Sequence, residues 1–429
     1  MQKHTDSQQY YQQTCNQSLS CPTFSGEKEV DLCIIGGGLT GISTAYHSAK
    51  SGLDCVLLEA ETIGFGASGR NGGQVSPGQR LDQATLEAKV GTAQARHLWQ
   101  LALDSVDLVR ELIDTYQIPC DFTPGILHTA FKPSHAQEMR ENVQLLQSRY
   151  GYEDCRYIER DELSEMLASS RYHGGELDMR AGHLHPLNFT LGLALQAQKA
   201  GASLYENSRV LDIKSVGDKL SITTAQGKIT TRKLVLGCNG YLGKLFPKVA
   251  GKIMPINNFI VTTAPLGEEQ ARALIRDNVA VADSKFVINY FRMTPDHRLL
   301  FGGGENYSSR FPADIKNFVR PYMLEIFPQL EDTELEHGWG GTLAITMNRM
   351  PHFQCLDERI YVAQGYSGHG VALATLAGKL IDQSIAGDPS GFNAMASYPT
   401  PTFPGGTLLR YPALVAGMLY YSLRDRFGN

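Results

Sequence analysis

Residues 30–41 read VDLCIIGGGLTG. The apolar run 30–35 predicts a buried strand, and the residues from about 39 to 51 predict a helix. Between them, Gly36, Gly38 and Gly41 fit the pattern Gly-x-Gly-x-x-Gly. A second predicted strand, 54–59, completes a β-α-β unit and ends on an acid, Glu59, followed by Ala60. In that setting each glycine has a task. Gly36 permits the tight turn. Gly38 lets a pyrophosphate approach the helix N-terminus, where free N–H groups and the helix dipole favour negative charge. Gly41 lets helix and strand pack closely. Glu59 suits ribose hydroxyls and repels a 2′-phosphate, so NADP is disfavoured, while NAD and FAD both fit.

The next loop separates those two. Residues 64–74 read GFGASGRNGGQ and hold five glycines. A nicotinamide enzyme has no need of a second glycine-rich loop directly after the ribose-binding strand. Extended FAD does, because its isoalloxazine ring lies far from the adenine and needs backbone N–H groups alongside. Ser68, Arg70, Asn71 and Gln74 supply polar groups there, and Gly72 and Gly73 open the approach. Near the other end, GYSGHG (365–370) stands between a predicted strand and a helix. Gly368, His369 and Gly370 would aim helix N–H groups at the electron-rich edge of a flavin, with a capping or packing role for His369 as the alternative.

The 429 residues suggest two domains, and 42% hydrophobic with 19% charged residues is a globular composition. A formal net charge of -5 without basic runs argues against nucleic acid as a partner. Eight cysteines without a Cys-x-x-Cys pair, and histidines without metal-ligand spacing, point to reduced thiols, a cytoplasmic protein and no metal. The polar N-terminus lacks the apolar core of a signal peptide. The C-terminal run PALVAGMLYYSL is too short to span a bilayer and is expected to be a packed helix.

The expected organisation is a loose arm over 1–28, then a discontinuous cofactor domain from 29–90, 151–245 and 331–400. A substrate domain from 91–150 and 246–330 is threaded through it, and 401–429 form a tail. Within it, 92–116 predicts an amphipathic helix, and a second helix near Ser134 is expected to start on a Ser134/Gln137 capping box. FVINYFRMTPDHRLLFGGG (286–304) predicts a hairpin turning at Pro295 and Asp296. Its first strand places Phe286, Ile288, Tyr290 and Arg292 on one face, as core or as binding groups. His183 and His185 precede a helix started by a proline; His183 is expected to be structural.

IIGGGLTG, LLEAETIGFGASGRNGGQ and YVAQGYSGHG together resemble the D-amino acid oxidase/glycine oxidase superfamily of FAD-dependent amine oxidoreductases. AGHLHPLN, MTPDHRLLFGGG, LAITMNRMPHF and the tail FPGGTLLRYPALVAGMLYYSLRDRFG are similar to its gamma-glutamylputrescine oxidase branch. The likeness runs from about residue 31 to the C-terminus. It implies an α/β fold: a Rossmann-type FAD-binding domain of the glutathione-reductase-like, D-amino acid oxidase kind, with an interleaved α+β substrate domain of mixed sheet. It further implies that Val210 contacts adenine through its backbone, that Asn239 and Gly240 lie in the turn returning under the dinucleotide, and that the isoalloxazine sits between 68–74 and 368–370. The sarcosine oxidase branch binds flavin through a cysteine, but GTLAITMNRMP (341–351) holds none, so FAD is expected to be non-covalent. VSPGQR (75–80) stands outside the family motifs.

The activity implied is oxidation of an amine C–N bond by hydride transfer to flavin. The acceptor would be dioxygen and the products hydrogen peroxide, an aldehyde and ammonia, with gamma-glutamylputrescine as the small-molecule substrate. Arg292 would pair with the substrate carboxylate, Tyr290 and Tyr366 would line the amine end, and His185 would relay a proton. The rivals are an oxidase of another amine or amino acid, and a flavin-binding protein without turnover.

Overall fold

A computed structural model describes residues 9–306, 310–410 and 412. Two sheets, of eight and nine strands among these residues, divide the chain.

The first sheet grows from the β-α-β unit. Gly26–Ile35 pairs in parallel with Cys55–Leu58 on one side and Gly227–Leu236 on the other. Ser203–Tyr205 and Ile360–Gln364 extend it in parallel at the two flanks. Alternate residues of a strand face opposite ways, and here both ways are buried. Leu32, Ile34, Cys55 and Leu57 join the core beneath the helices, whereas Cys33, Ile35, Val56 and Leu58 join the one shared with Val210, Leu220 and Ile222. Burial on both faces explains why 30–35 is an unbroken apolar run rather than an alternating one. Leu39–Lys50, Pro186–Lys199 and Gly370–Ile385 are the covering helices.

The second sheet is antiparallel except where Ala280–Asp283 runs parallel to Thr123–Thr129. One of its edge strands is Gln74–Val75, the end of the glycine-rich loop, paired with Gly175–His183. That loop therefore ties the two sheets together.

Sheet membership redraws the expected boundaries. Gly175–His183 and Leu335–Ile345, expected in the cofactor part, are strands of the second sheet. Helix Thr92–Tyr116, expected with the substrate part, packs on Gly370–Ile385 and buries Leu98, Leu101 and Val106 in the first core. The 1–28 arm is not loose where described: Tyr10 and Tyr11 are 4% and 0% exposed. Helix Pro133–Tyr150 has Lys132 as its N-cap and Pro133 in its first turn, so Ser134 lies inside the helix and the capping box does not form. The first strand of the hairpin starts at Tyr290, not 286. The Asp283 carboxylate accepts from the amides of Lys285 and Asn289 and from the Asn289 side chain, which folds 284–289 into a local turn. The apolar run 412–423 lies outside the described residues apart from Pro412. No helix among the described residues is long and apolar enough to cross a membrane.

Candidate active site

The first glycine loop is defined largely by contacts inside its own unit, with Gly237 and Ser68 against it from outside. The Gly36 amide donates to the Leu58 carbonyl at 2.9 Å. A Cβ at Gly36, whose φ is +110°, would come within 2.8 Å of the Gly237 carbonyl oxygen, and one at Gly41 would overlap the Gly36 carbonyl. Glu59 closes the unit: one carboxylate oxygen accepts from the Gly37 amide at 2.6 Å, the other from the Glu61 amide at 2.8 Å. Burial pushes the Glu59 carboxyl up, and these amides pull against that shift. At the helix start the Leu39 amide donates to the Ser68 hydroxyl at 2.9 Å. The neighbouring first-turn amides have no partner within the helix.

The second glycine loop is held by distant segments. Trp339 Nε1 donates to the Arg70 carbonyl at 3.0 Å. Arg292 Nε donates to the Gly72 carbonyl at 2.9 Å, and the Leu184 amide to the Gly73 carbonyl at 2.9 Å. A Cβ on Gly73, whose φ is +79°, would overlap the Leu184 carbonyl oxygen.

Between the two loops and the second sheet lies a cavity of about 430 Å³. Gly36, Gly38, Glu59, Ala60, Ser68, Arg70, Asn71, Gly72, Gln74, Val210, Asn239, Gly368, His369 and Gly370 all line it. Gly41, Gly73 and Gly240 do not line it; a side chain at each would meet a carbonyl, of Gly36, Leu184 and Leu343 in turn. Asn239 reaches across from its turn: its Oδ1 accepts from the Gly365 amide at 2.9 Å. The donor set fits FAD. A long cavity begins at a helix N-terminus and an acid, and it continues past a loop whose carbonyls are held from elsewhere in the chain.

The four residues assigned to catalysis divide. Tyr290 and Tyr366 line the cavity. Tyr290 donates to Asn258 Oδ1 and lies close against Gly72, and Tyr366 shares a 2.6 Å bond with the Thr40 hydroxyl. Arg292 and His185, expected at the substrate, do not line the cavity. The Arg292 guanidinium is 4% exposed and is engaged by Gly72, Met293 and Leu184 carbonyls and the Tyr11 hydroxyl, so it is not presented to a substrate carboxylate. His185 caps helix Pro186–Lys199, its Nδ1 accepting from the Asn188 amide, while Nε2 meets Thr14; burial lowers it to about 3, so it is neutral near pH 7. His183 is likewise buried, against the Asn278 carbonyl.

The structure adds residues that were not singled out for the site. Ser76 and Arg80, from the unmatched VSPGQR stretch, line the cavity with His128, Asp283 and Arg349. Phe286 and Ile288 reach it from the irregular turn, and Arg349 lies over the Phe286 ring at 5.3 Å. Burial, with Arg80 nearby, lowers His369 to about 3 and His128 to about 4, so both are neutral near pH 7. Burial raises Asp283 to about 6. The positive φ of Arg80 (85°) and Arg349 (64°) reflects loop geometry that no local pattern announces.

Residues 31–384 match the FAD dependent oxidoreductase (DAO) family. The chain is 40% identical to gamma-glutamylputrescine oxidoreductase of Escherichia coli, over 100% of each chain. It is 38% identical to an oxidoreductase named OrdL of Rhizobium meliloti, over 97% of each. The glycine oxidase structure from Geobacillus kaustophilus superposes with a TM-score of 0.69 at 22% identity, covering 84% of this chain and 95% of that one, and shares the fold. The chain belongs to the DAO family of FAD-dependent oxidoreductases.

Proposed function

We propose that this DAO-family oxidoreductase oxidises the terminal amine of gamma-glutamylputrescine with dioxygen as acceptor. The observation that carries the reading is the cavity wall: Arg80 and Arg349 line the space that Tyr290, Phe286 and Ile288 also line. A guanidinium is the natural partner of a carboxylate, and apolar and aromatic walls suit an aliphatic chain. A glutamylated diamine offers both, a carboxylate at one end and a methylene chain leading to the amine at the other. Full-length identity of 40% to gamma-glutamylputrescine oxidoreductase supports the same substrate class.

Bound FAD supplies the acceptor for two electrons and the hydrogen leaving the carbon next to nitrogen. The chain's own part is orientation and electrostatics. The positive charges of Arg80 and Arg349 disfavour an ammonium near them, so an amine bound there loses its proton to solvent more readily. The arginines fix the far end of the substrate, and Tyr290 and Tyr366 border the cavity where the two glycine-rich segments approach it. The oxidised C–N bond is an imine, which water splits into an aldehyde and ammonia. Two electrons passed on to dioxygen, with two protons, give hydrogen peroxide. The reading keeps FAD non-covalent: Cys355 is off the cavity wall, and Cys238, which lines it, donates its thiol to the Ile35 carbonyl and is pushed up to about 12 by burial. The eight cysteines are unpaired, which suits a reducing compartment such as the cytoplasm.

The test is steady-state peroxide formation in air with gamma-glutamylputrescine, putrescine, glycine, sarcosine and D-alanine. The reading expects the highest kcat/KM for gamma-glutamylputrescine. Faster turnover of glycine or D-alanine overturns the substrate. Turnover of the same substrate only with an artificial electron acceptor overturns dioxygen.

A further inference from the structure

The segment before the β-α-β unit packs onto the glycine-rich loop from the side away from the cavity. None of residues 9–14 lines the cavity. Gln9, 1% exposed, donates from Nε2 to the Gly69 carbonyl at 2.8 Å. Tyr11, fully buried, accepts from Arg292 Nη2 at 3.2 Å, and Arg292 Nε in turn holds the Gly72 carbonyl. The Tyr11 ring meets Trp339 edge-on at 5.3 Å, and Trp339 holds the Arg70 carbonyl. Three carbonyls of the loop are thus drawn toward one buried cluster.

A planar trans peptide points its N–H opposite to its C=O. Fixing the Arg70 carbonyl toward Trp339 therefore turns the Asn71 amide the other way, and Asn71 is a cavity residue. That amide donates to no acceptor among the described residues. Burying a glutamine amide and a phenol costs free energy unless both are hydrogen-bonded, and the partners available here are the loop and its supports.

We propose that Gln9 and Tyr11 form a positioning clamp for FAD. Tyr11 packs on Trp339, which holds the Arg70 carbonyl so that the Asn71 amide faces the cofactor. Gln9, and Tyr11 through Arg292, anchor the loop at the Gly69 and Gly72 carbonyls. The amides of those two peptides bond within the loop, to the Ala67 carbonyl and Asn71 Oδ1. The affinity for FAD then depends on a segment that never touches it.

The experiment titrates FAD into apoprotein and follows the quenching of flavin fluorescence. Gln9→Leu and Tyr11→Phe, which keep side-chain bulk, are expected to weaken FAD binding about fivefold to tenfold, the scale of one lost buried hydrogen bond, and to shift the visible flavin band. Tyr10→Phe is the control. It breaks the 2.6 Å bond to Asp296 in the same segment, away from the loop. It is expected to lower the melting temperature with FAD affinity unchanged. Variants at Gln9 and Tyr11 that bind FAD within about twofold of wild type, with an unshifted band, overturn the clamp whatever their melting temperature. Wild-type protein gives a second reading that needs no variant. Linkage is reciprocal, so FAD must slow hydrogen exchange at residues 10–14 relative to apoprotein, and unchanged exchange also overturns the proposal. Neither measurement involves the amine substrate, so this inference and the substrate assignment fail separately.

Discussion

Two glycine-rich loops face the same cavity and are built on different principles. The first, around Gly36–Gly41, is shaped by neighbours within one β-α-β unit: Leu58, Glu59 and its own helix. The second, around Gly64–Gln74, takes its shape from Trp339, Arg292, Leu184 and Gln9, which are remote in sequence. The first is a local device that any Rossmann-like unit can carry. The second adds to its local bonds partners from both parts of the molecule, so it couples flavin geometry to distant segments.

That contrast can be broken most sharply at the glycines. Gly41→Ala places a methyl against the Gly36 carbonyl inside the central core. It is expected to cost about 4 kcal/mol or more, with no soluble holoprotein recovered. Gly73→Ala meets the Leu184 carbonyl with comparable overlap, but at the loop. The chain is expected to fold, by far-ultraviolet circular dichroism, and to come off purification colourless. A yellow Gly73→Ala protein would erase the distinction. Arg292→Met comes next. It leaves carbonyls of Gly72, Met293 and Leu184 without their buried donor, for about 3 kcal/mol in denaturant unfolding and weakened FAD retention. If only stability falls, Arg292 serves the core alone.

A smaller effect separates binding from scaffold. Arg80→Met and Arg349→Met are each expected to raise KM for gamma-glutamylputrescine about tenfold to a hundredfold, with kcat nearly unchanged and the flavin spectrum intact. A drop in kcat at unchanged KM would move these residues away from the far end of the substrate. The smallest is a pH effect. Burial lowers His183, His185 and His369 to about 3 and His128 to about 4. The unfolded chain protonates its histidines near pH 6.5. Their contribution is therefore present above 6.5 and lost as pH falls toward 4. Glu176 and Asp283, raised by burial to about 7 and about 6, act in the opposite sense. Burial also lowers His47 to about 3, His352 to about 4 and His337, and raises Glu59 and Asp178. Seven lowered histidines against four raised carboxyls should leave the melting temperature falling from pH 7 to pH 5. His183→Gln, which keeps a donor for the Asn278 carbonyl, should flatten that fall by up to about 1.4 kcal/mol per pH unit.

The same contrast explains what the sequence disclosed. Strand, turn, helix and acid over 30–59 could be read together because the atoms that shape them lie within one unit. The glycine content of 64–74 showed that a second close approach was needed, but not what holds it, since Trp339 and Arg292 announce nothing from where they stand in the chain. Arg292 was visible as a charge on a strand face, and the face was right: it meets the same loop as Tyr290. Its direction of use was not, because the guanidinium turns to carbonyls that only the assembled loop provides. The N-terminal arm misled through its polar composition, and the paired tyrosines of QQYYQQ were the available signal of burial. Arg80, His128 and Arg349 reach the cavity from separate segments, and no spacing rule joins them.

The central claim is that this cavity takes a glutamylated diamine and passes its electrons to FAD. It is tested most directly by mixing the yellow protein with gamma-glutamylputrescine without air and following the visible flavin band. The account predicts prompt bleaching, slower bleaching with unmodified putrescine, and return of the band with peroxide release when air is admitted. A band untouched by gamma-glutamylputrescine yet bleached by glycine or a D-amino acid would contradict it.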